Sequence, residues 1–136
     1  MAFDVCHEQI VRALEKDGWQ IDDRPRRLNL EDRVVYVDIQ AMRQVNGSRQ
    51  QILLAEVKCF PDRDSTTREL YIAFGQYIIY KAMLAELDLM TPLYLALPDE
   101  VYNQLFDSTV QRAVRDNHVK LVIVNLDTET VSQWRE

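Results

Sequence analysis

Two carboxylates and a lysine lie at the ends of two strand-like runs. Asp38 follows the aliphatic run 34–37, and Glu56 and Lys58 end the run 52–58, with seventeen residues between Asp38 and Glu56. Carboxylates are hard oxygen ligands suited to Mg²⁺, which often takes only one or two of them from the protein. A lysine can orient an attacking water or offset charge on phosphoryl oxygens. The three residues therefore suggest a metal-dependent site that acts on a phosphoryl group.

Strand geometry determines whether these charges can meet. Side chains alternate between the faces of a strand, so Glu56 and Lys58 project to one side while Val57 points to the other. If the two runs pair, the charges of Asp38, Glu56 and Lys58 converge at one edge of the sheet. The alternative is an ion pair across a hairpin that performs no chemistry.

The first helix adds two further polar candidates. It is predicted from Asp4, as N-cap, to about Lys16, with Gly18 ending it. Glu8 on this helix is interpreted as an exposed residue that stabilises the first turn. We interpret His7 as a surface histidine.

The two runs that end in charge are predicted to form a hairpin. The first strand is expected over residues 33–41 and the second over 50–58, and both are rich in β-branched and aliphatic residues. Asn46 and Gly47 lie between them, and both residue types tolerate the positive φ angles of tight hairpin turns.

The remaining elements predict an α/β fold. The longest helix is expected over residues 67–87, after Pro61 stops the preceding strand. Short extended pieces are predicted near residues 19–21 and 27–30, later strands over 93–97, 119–125 and 130–134, and short helices over 100–105 and 108–116. This order predicts one domain over residues 1–136, with a mixed central β-sheet flanked by helices.

Composition limits the classes of function. The net charge of −6 argues against a dedicated, strongly basic nucleic-acid binder. Residues 1–4 lack a basic region followed by an apolar run, so we expect a cytoplasmic protein without a membrane span. Cys6 and Cys59 have no metal-ligand spacing, and we expect both to be reduced, unpaired thiols.

The whole chain also resembles the XisH family, cyanobacterial proteins named as controlling factors for excision of the fdxN element, a DNA rearrangement. The stretches that carry this resemblance are residues 3–8 (FDVCHE), 13–19 (ALEKDGW), 36–38 (YVD), 55–58 (AEVK), 74–77 (FGQY) and 131–134 (VSQW).

The resemblance implies a fold similar to the PD-(D/E)xK restriction-endonuclease-like superfamily. The acid…acid-x-lysine signature of that superfamily falls on Asp38, Glu56 and Lys58, and Mg²⁺, with Mn²⁺ as a substitute, is the implied cofactor. Related nucleases often place an additional metal-binding acid on the first helix, and the resemblance assigns this alternative role to Glu8. Gln76 reproduces, with Tyr80, the glutamine-x-x-x-tyrosine spacing found in some of these nucleases. The chain departs from the pattern before Asp38, where Val37 replaces proline, and after it, where no further acid follows within residues 39–43.

The resemblance further implies partners. These are a small XisI-like companion, DNA and a site-specific recombinase complex that would itself perform strand exchange. A non-catalytic interaction protein with a vestigial nuclease fold is the alternative to an endonuclease. Either is compatible with a homodimer whose interface is the long helix over residues 67–87.

Overall fold

The computed structural model describes residues 4–136, except for the side chain of Arg63. Residues 1–3 therefore lie outside the described residues. They include Phe3, the first residue of the stretch 3–8 that resembles XisH, and most of the segment 1–4 discussed above. In chain order the elements are α1 (His7–Lys16), β1 (Gln20–Ile21), β2 (Arg26–Leu30), β3 (Arg33–Val37), β4 (Ile39–Val45), β5 (Arg49–Val57), a 3₁₀ turn (Arg63–Ser65), α2 (Thr66–Glu86), β6 (Leu93–Pro98), α3 (Asp99–Leu105), α4 (Ser108–Asp116), β7 (Lys120–Asn125) and β8 (Thr130–Arg135).

Six of the strands form one mixed sheet in the order β1-β4-β5-β6-β7-β8. The central strands β5, β6 and β7 are parallel, and the outer pairs are antiparallel. Helix α1 packs on one face, whereas α2, α3 and α4 cover the other with a separate two-stranded ribbon, β2-β3. The predicted α/β fold with a mixed sheet flanked by helices is confirmed.

The predicted strand over residues 33–41 is wrong in one respect, because the chain breaks it at Asp38. Strand β3 pairs with β2 in the ribbon and is largely exposed, and β4 then begins at Ile39 in the main sheet. At the break, the backbone N–H of Asp38 donates to the side chain of Glu56 rather than to a strand carbonyl. A polar side chain thus replaces a bond of the β-ladder, and this interrupts the strand.

The predicted hairpin is confirmed between β4 and β5. Ile39 is opposite Ala55 and Val45 is opposite Arg49, which leaves a tight connection. Asn46 has a φ angle of 51° and Gly47 one of 75°, the conformations that the Asn-Gly pair was expected to supply. The register brings residue 38, just before β4, level with residue 56.

The start of α1 differs from its prediction and its end agrees. The helix begins at His7, and the carboxylate of Asp4 accepts the N–H of Val5 and the N–H of Cys59 instead of capping the helix. At the other end Gly18 has a φ of 96°. The N–H groups of Gly18 and Trp19 donate to the carbonyls of Glu15 and Leu14, the bonding of a Schellman motif.

The cysteine prediction is also wrong, since Cys6 and Cys59 form a disulfide with their Cα atoms 5.8 Å apart. Both residues are buried. They are 53 positions apart in sequence, so their meeting depends on the packing of the start of α1 against the end of β5. Spacing rules detect clusters that are local in sequence and could not reveal this pair.

Helix α2 matches its prediction to within one residue at each end. Tyr77 holds it to the sheet, because its hydroxyl donates to the carbonyl of Leu93 at 2.8 Å and accepts the N–H of Lys120 at 3.0 Å. Tyr80 is buried against the core, whereas Ile78 is exposed. Among the described residues, no helix is long and apolar enough to cross a membrane.

Candidate functional site

The candidate site is the point where β4 begins and β5 ends. The N–H of Val57 donates to Asp38 Oδ2 at 2.9 Å, and the N–H of Asp38 donates to Glu56 Oε1 at 3.2 Å. At each strand end, a backbone N–H therefore donates a hydrogen bond to the carboxylate at the other strand end. This reciprocal arrangement fixes the two carboxylates beside each other, as the hairpin model required.

Lys58 completes the group from the residue after β5. Its Nζ lies 3.8 Å from Glu56 Oε2, which places both side chains on one side of the strand as predicted. The N–H of Lys58 donates to the carbonyl of Ala96 on β6, so the position is tied to the central parallel strands. The Glu56 side chain is only 6% exposed and that of Lys58 is 21% exposed. The lysine thus connects a buried carboxylate with solvent.

Burial perturbs the ionisation of both acids. Burial and the negative charge of Asp38 raise the pKa of Glu56, Lys58 opposes this shift, and the net pKa is about 8. Burial also raises the pKa of Asp38, and the hydrogen bond from Val57 together with the nearby charges of His7 and Lys58 opposes that rise. Near neutral pH the two acids together therefore retain one proton.

Helix α1 places Glu8 on the same cavity as Asp38. The cavity has a volume of about 300 Å³ and a strongly acidic lining that consists of His7, Glu8, Val11, Glu15, Ile21, Asp22, Asp23, Arg24, Pro25 and Asp38. Glu8 itself is exposed. The geometry is compatible with Glu8 as an additional ligand, and that role stays a prediction.

The interpretation of His7 as a surface histidine is wrong. His7 is 7% exposed, because the first turn of α1 packs against the sheet. Its charge lowers the pKa of Asp38, which places the imidazole within electrostatic reach of the site. The helical pattern of α1 could have indicated this, since residues 7, 10, 13 and 14 share its buried face.

Helix α2 contributes a polar stripe made of Glu69, Gln76 and Tyr80. Burial, together with the charges of Glu56 and Asp38, raises the pKa of Tyr80 to about 12, so the Tyr80 hydroxyl lies within electrostatic reach of the two acids. Gln76 Oε1 is buried and accepts no hydrogen bond from the described part of the chain. Tyr80 is thus close to the two acids, whereas the role of Gln76 in the site stays a prediction.

Glu69 was missed from the sequence. It lines, with Lys58, a second cavity of about 230 Å³, and its Oε2 is buried without a hydrogen-bond partner among the described residues. It precedes Gln76 by seven positions, two turns of helix, so both project from nearly the same face. This spacing was the signal that could have identified Glu69.

The donor set fits Mg²⁺ through its two central carboxylates. No group of three or more His, Cys, Asp or Glu side chains that could hold a metal ion occurs within residues 4–136 as described. Mg²⁺ nevertheless needs only one or two protein carboxylates, since water and substrate oxygens complete its coordination. The two acids are adjacent, and one of them retains its proton up to a pH of about 8. A bound cation would neutralise the negative charge that their ionisation creates.

Comparison with known proteins covers nearly the whole chain. The family model described as XisH protein matches residues 1–132. The chain belongs to the XisH family. This confirms the resemblance carried by the sequence stretches quoted above, whereas the likeness to restriction endonucleases stays a prediction.

Two crystal structures of XisH-like proteins are similar along the same length. An XisH family protein from Nostoc punctiforme PCC 73102 is 32% identical, with 98% of this chain and 100% of that chain covered and a TM-score of 0.85. An fdxN element excision controlling factor protein from Anabaena variabilis is 33% identical, with 98% and 99% covered and a TM-score of 0.87. Among curated proteins, no sequence matches this chain.

Proposed function

We propose that this XisH family protein controls the excision of a DNA element. The support is its family membership and its similarity, along 98% of its length, to a protein from Anabaena variabilis that is named as an fdxN element excision controlling factor. Excision requires phosphodiester bonds to be cut and rejoined. A controlling factor acts either on the DNA itself or on the proteins that cut it.

We further propose that the group of Asp38, Glu56 and Lys58 is a Mg²⁺-dependent phosphodiesterase site on a restriction-endonuclease-like fold. The observation that carries this proposal is the reciprocal bonding of Asp38 and Glu56 across the strand junction, with Lys58 Nζ 3.8 Å from Glu56. Two fixed carboxylates and one ammonium group, partly open to solvent, are the types and arrangement that metal-assisted hydrolysis needs.

In this mechanism Asp38 and Glu56 would hold the cation, assisted by Glu8 and the carbonyl of Val57. A bound Mg²⁺ would polarise the phosphoryl oxygens and neutralise charge that develops on them. Lys58 orients the attacking water and offsets the same charge. Gln76 accepts a hydrogen bond from that water through its otherwise unpartnered side-chain oxygen.

Cleavage of supercoiled plasmid and of short duplex DNA in millimolar Mg²⁺ or Mn²⁺ tests the proposed chemistry. We expect the wild type to cleave and Lys58→Ala to lose at least about 100-fold in rate, because a positioned charged group contributes about that much. Lys81→Ala is the matched control, since Lys81 is an exposed lysine on α2. Equal cleavage by Lys58→Ala and by the wild type would remove the mechanism.

The second candidate function is a non-catalytic interaction protein that binds an XisI-like partner or the recombinase complex. One observation favours it: protein groups already contact Asp38 Oδ2, Glu56 Oε1 and Glu56 Oε2, as expected of a structural ion pair. Under this function the wild type cleaves no DNA, and Lys58→Ala binds an XisI-like protein as tightly as the wild type does. A pull-down with the purified partner measures this.

A further inference from the structure

Helix α2 carries an exposed stripe on the side that faces away from the sheet. Its six members are all exposed and recur at alternating steps of four and three residues, which keeps them on one face of a helix: Arg68, Ile72, Gly75, Ile79, Ala82 and Glu86. Ile72 is 45% exposed and Ile79 is 46% exposed. Tyr71 and Ile78, also exposed, flank the stripe and widen its apolar surface.

The stripe is complementary to itself when it is reversed. When a second copy of the helix is placed antiparallel and centred on residue 77, Arg68 lies opposite Glu86, Ile72 opposite Ala82, and Gly75 opposite Ile79. Each of these pairs matches a large side chain with a small one, or a positive charge with a negative one. We propose that a second copy of this chain docks on the stripe with its α2 antiparallel, and that the two form a two-fold symmetric homodimer.

Charge identifies the second copy as the occupant. Neither Arg68 nor Glu86 forms a salt bridge within the described residues of the protomer. In the antiparallel pair, Arg68 of one protomer lies beside Glu86 of the other at each end of the contact. A parallel pair would place like charges together, at a cost in free energy.

The centre of the stripe has room for the contact. A Cβ atom added at Gly75 would meet no heavy atom within 4 Å, so the surface there is open to the Ile79 side chain of the partner. Small residues opposite large ones allow two helices to approach closely and interdigitate. Ile72 also lines the cavity that contains Lys58 and Glu69, so the dimer interface borders the candidate site, although dimerisation requires no chemistry there.

Reversal of the end charges tests the antiparallel register. We expect sedimentation velocity to give twice the 16.0 kDa of the chain for the wild type. Arg68→Glu and Glu86→Arg should each weaken dimerisation at least about tenfold, because each places like charges at both ends of the contact. The double variant R68E/E86R should recover dimerisation, since the opposite charges are then restored in exchanged positions.

Gly75→Leu tests the centre of the interface while sparing the protomer. Open space surrounds Gly75 and leucine favours the helix, so this variant should fold at least as stably as the wild type and yet be monomeric. Thr109→Leu adds the same side chain to an exposed position of α4 and should remain dimeric.

A wild type that is monomeric at about 100 µM, a concentration that reports even weak self-association, would overturn the proposal. So would a Gly75→Leu dimer, single charge variants that dimerise like the wild type, or occupation of the stripe only by a different protein.

Discussion

Glu56→Gln is expected to be more stable than the wild type at pH 8.5, by roughly 3 kcal/mol, and to lose most of the pH dependence of unfolding. Burial and the charge of Asp38 raise the pKa of Glu56 from its ordinary 4.5 to about 8 in the folded protein. Between those two pH values the folded state keeps a proton that the unfolded chain releases. The free energy of unfolding of the wild type therefore falls as pH rises through this interval, and glutamine removes that loss.

Urea unfolding at several pH values between 5 and 9, in the presence of EDTA, measures this effect. Glu31→Gln is the matched control, because Glu31 is exposed in the turn between β2 and β3 and should leave the pH dependence unchanged. If the wild type and Glu56→Gln lose stability equally between pH 5 and pH 8.5, the raised pKa of Glu56 is contradicted.

Reduction of the Cys6–Cys59 disulfide is expected to lower the free energy of unfolding by about 4 kcal/mol. The bond joins residues 53 positions apart, and opening a loop of that length restores much conformational freedom to the unfolded chain. In the folded state, it links the residue that precedes α1 to the end of β5, so it also holds Glu8 close to the strand that carries Glu56.

Urea unfolding with and without a phosphine reductant tests the contribution of the disulfide. The double variant Cys6→Ser, Cys59→Ser is the control, since the chain has two cysteines and the variant leaves nothing for the reductant to act on. The reductant should lower the midpoint of the wild type and leave that of the variant unchanged. An unchanged midpoint in the wild type would show that the disulfide contributes no stability.

Local signals in the sequence were sufficient for the elements that carry the site. The Asn46-Gly47 pair predicted the hairpin because its conformational preference acts within a few residues. The same holds for α2, whose ends were predicted to within one residue, and for the buried run that became β5. These elements were enough to infer that Asp38, Glu56 and Lys58 meet.

The features that were missed depend on contacts between distant parts of the chain. The strand break at Asp38 arises from a hydrogen bond to Glu56, 18 positions away, which no propensity of residues 33–41 could indicate. The disulfide results from how the start of α1 packs against the end of β5. The burial of His7 and the position of Glu69 differ, because the helical spacing of residues 7, 10, 13 and 14 and the seven-residue spacing from Glu69 to Gln76 are both visible in the sequence.

Calorimetric titration of Mn²⁺ and Mg²⁺ tests whether Asp38 and Glu56 form a cation site. At pH 8.5, above the pKa of about 8 for Glu56, we expect one cation to bind per chain. Asp38→Asn should abolish this binding, whereas Asp127→Asn, in an exposed turn, should not. The account is contradicted if the wild type shows no binding at millimolar metal, or if Asp38→Asn binds as the wild type does.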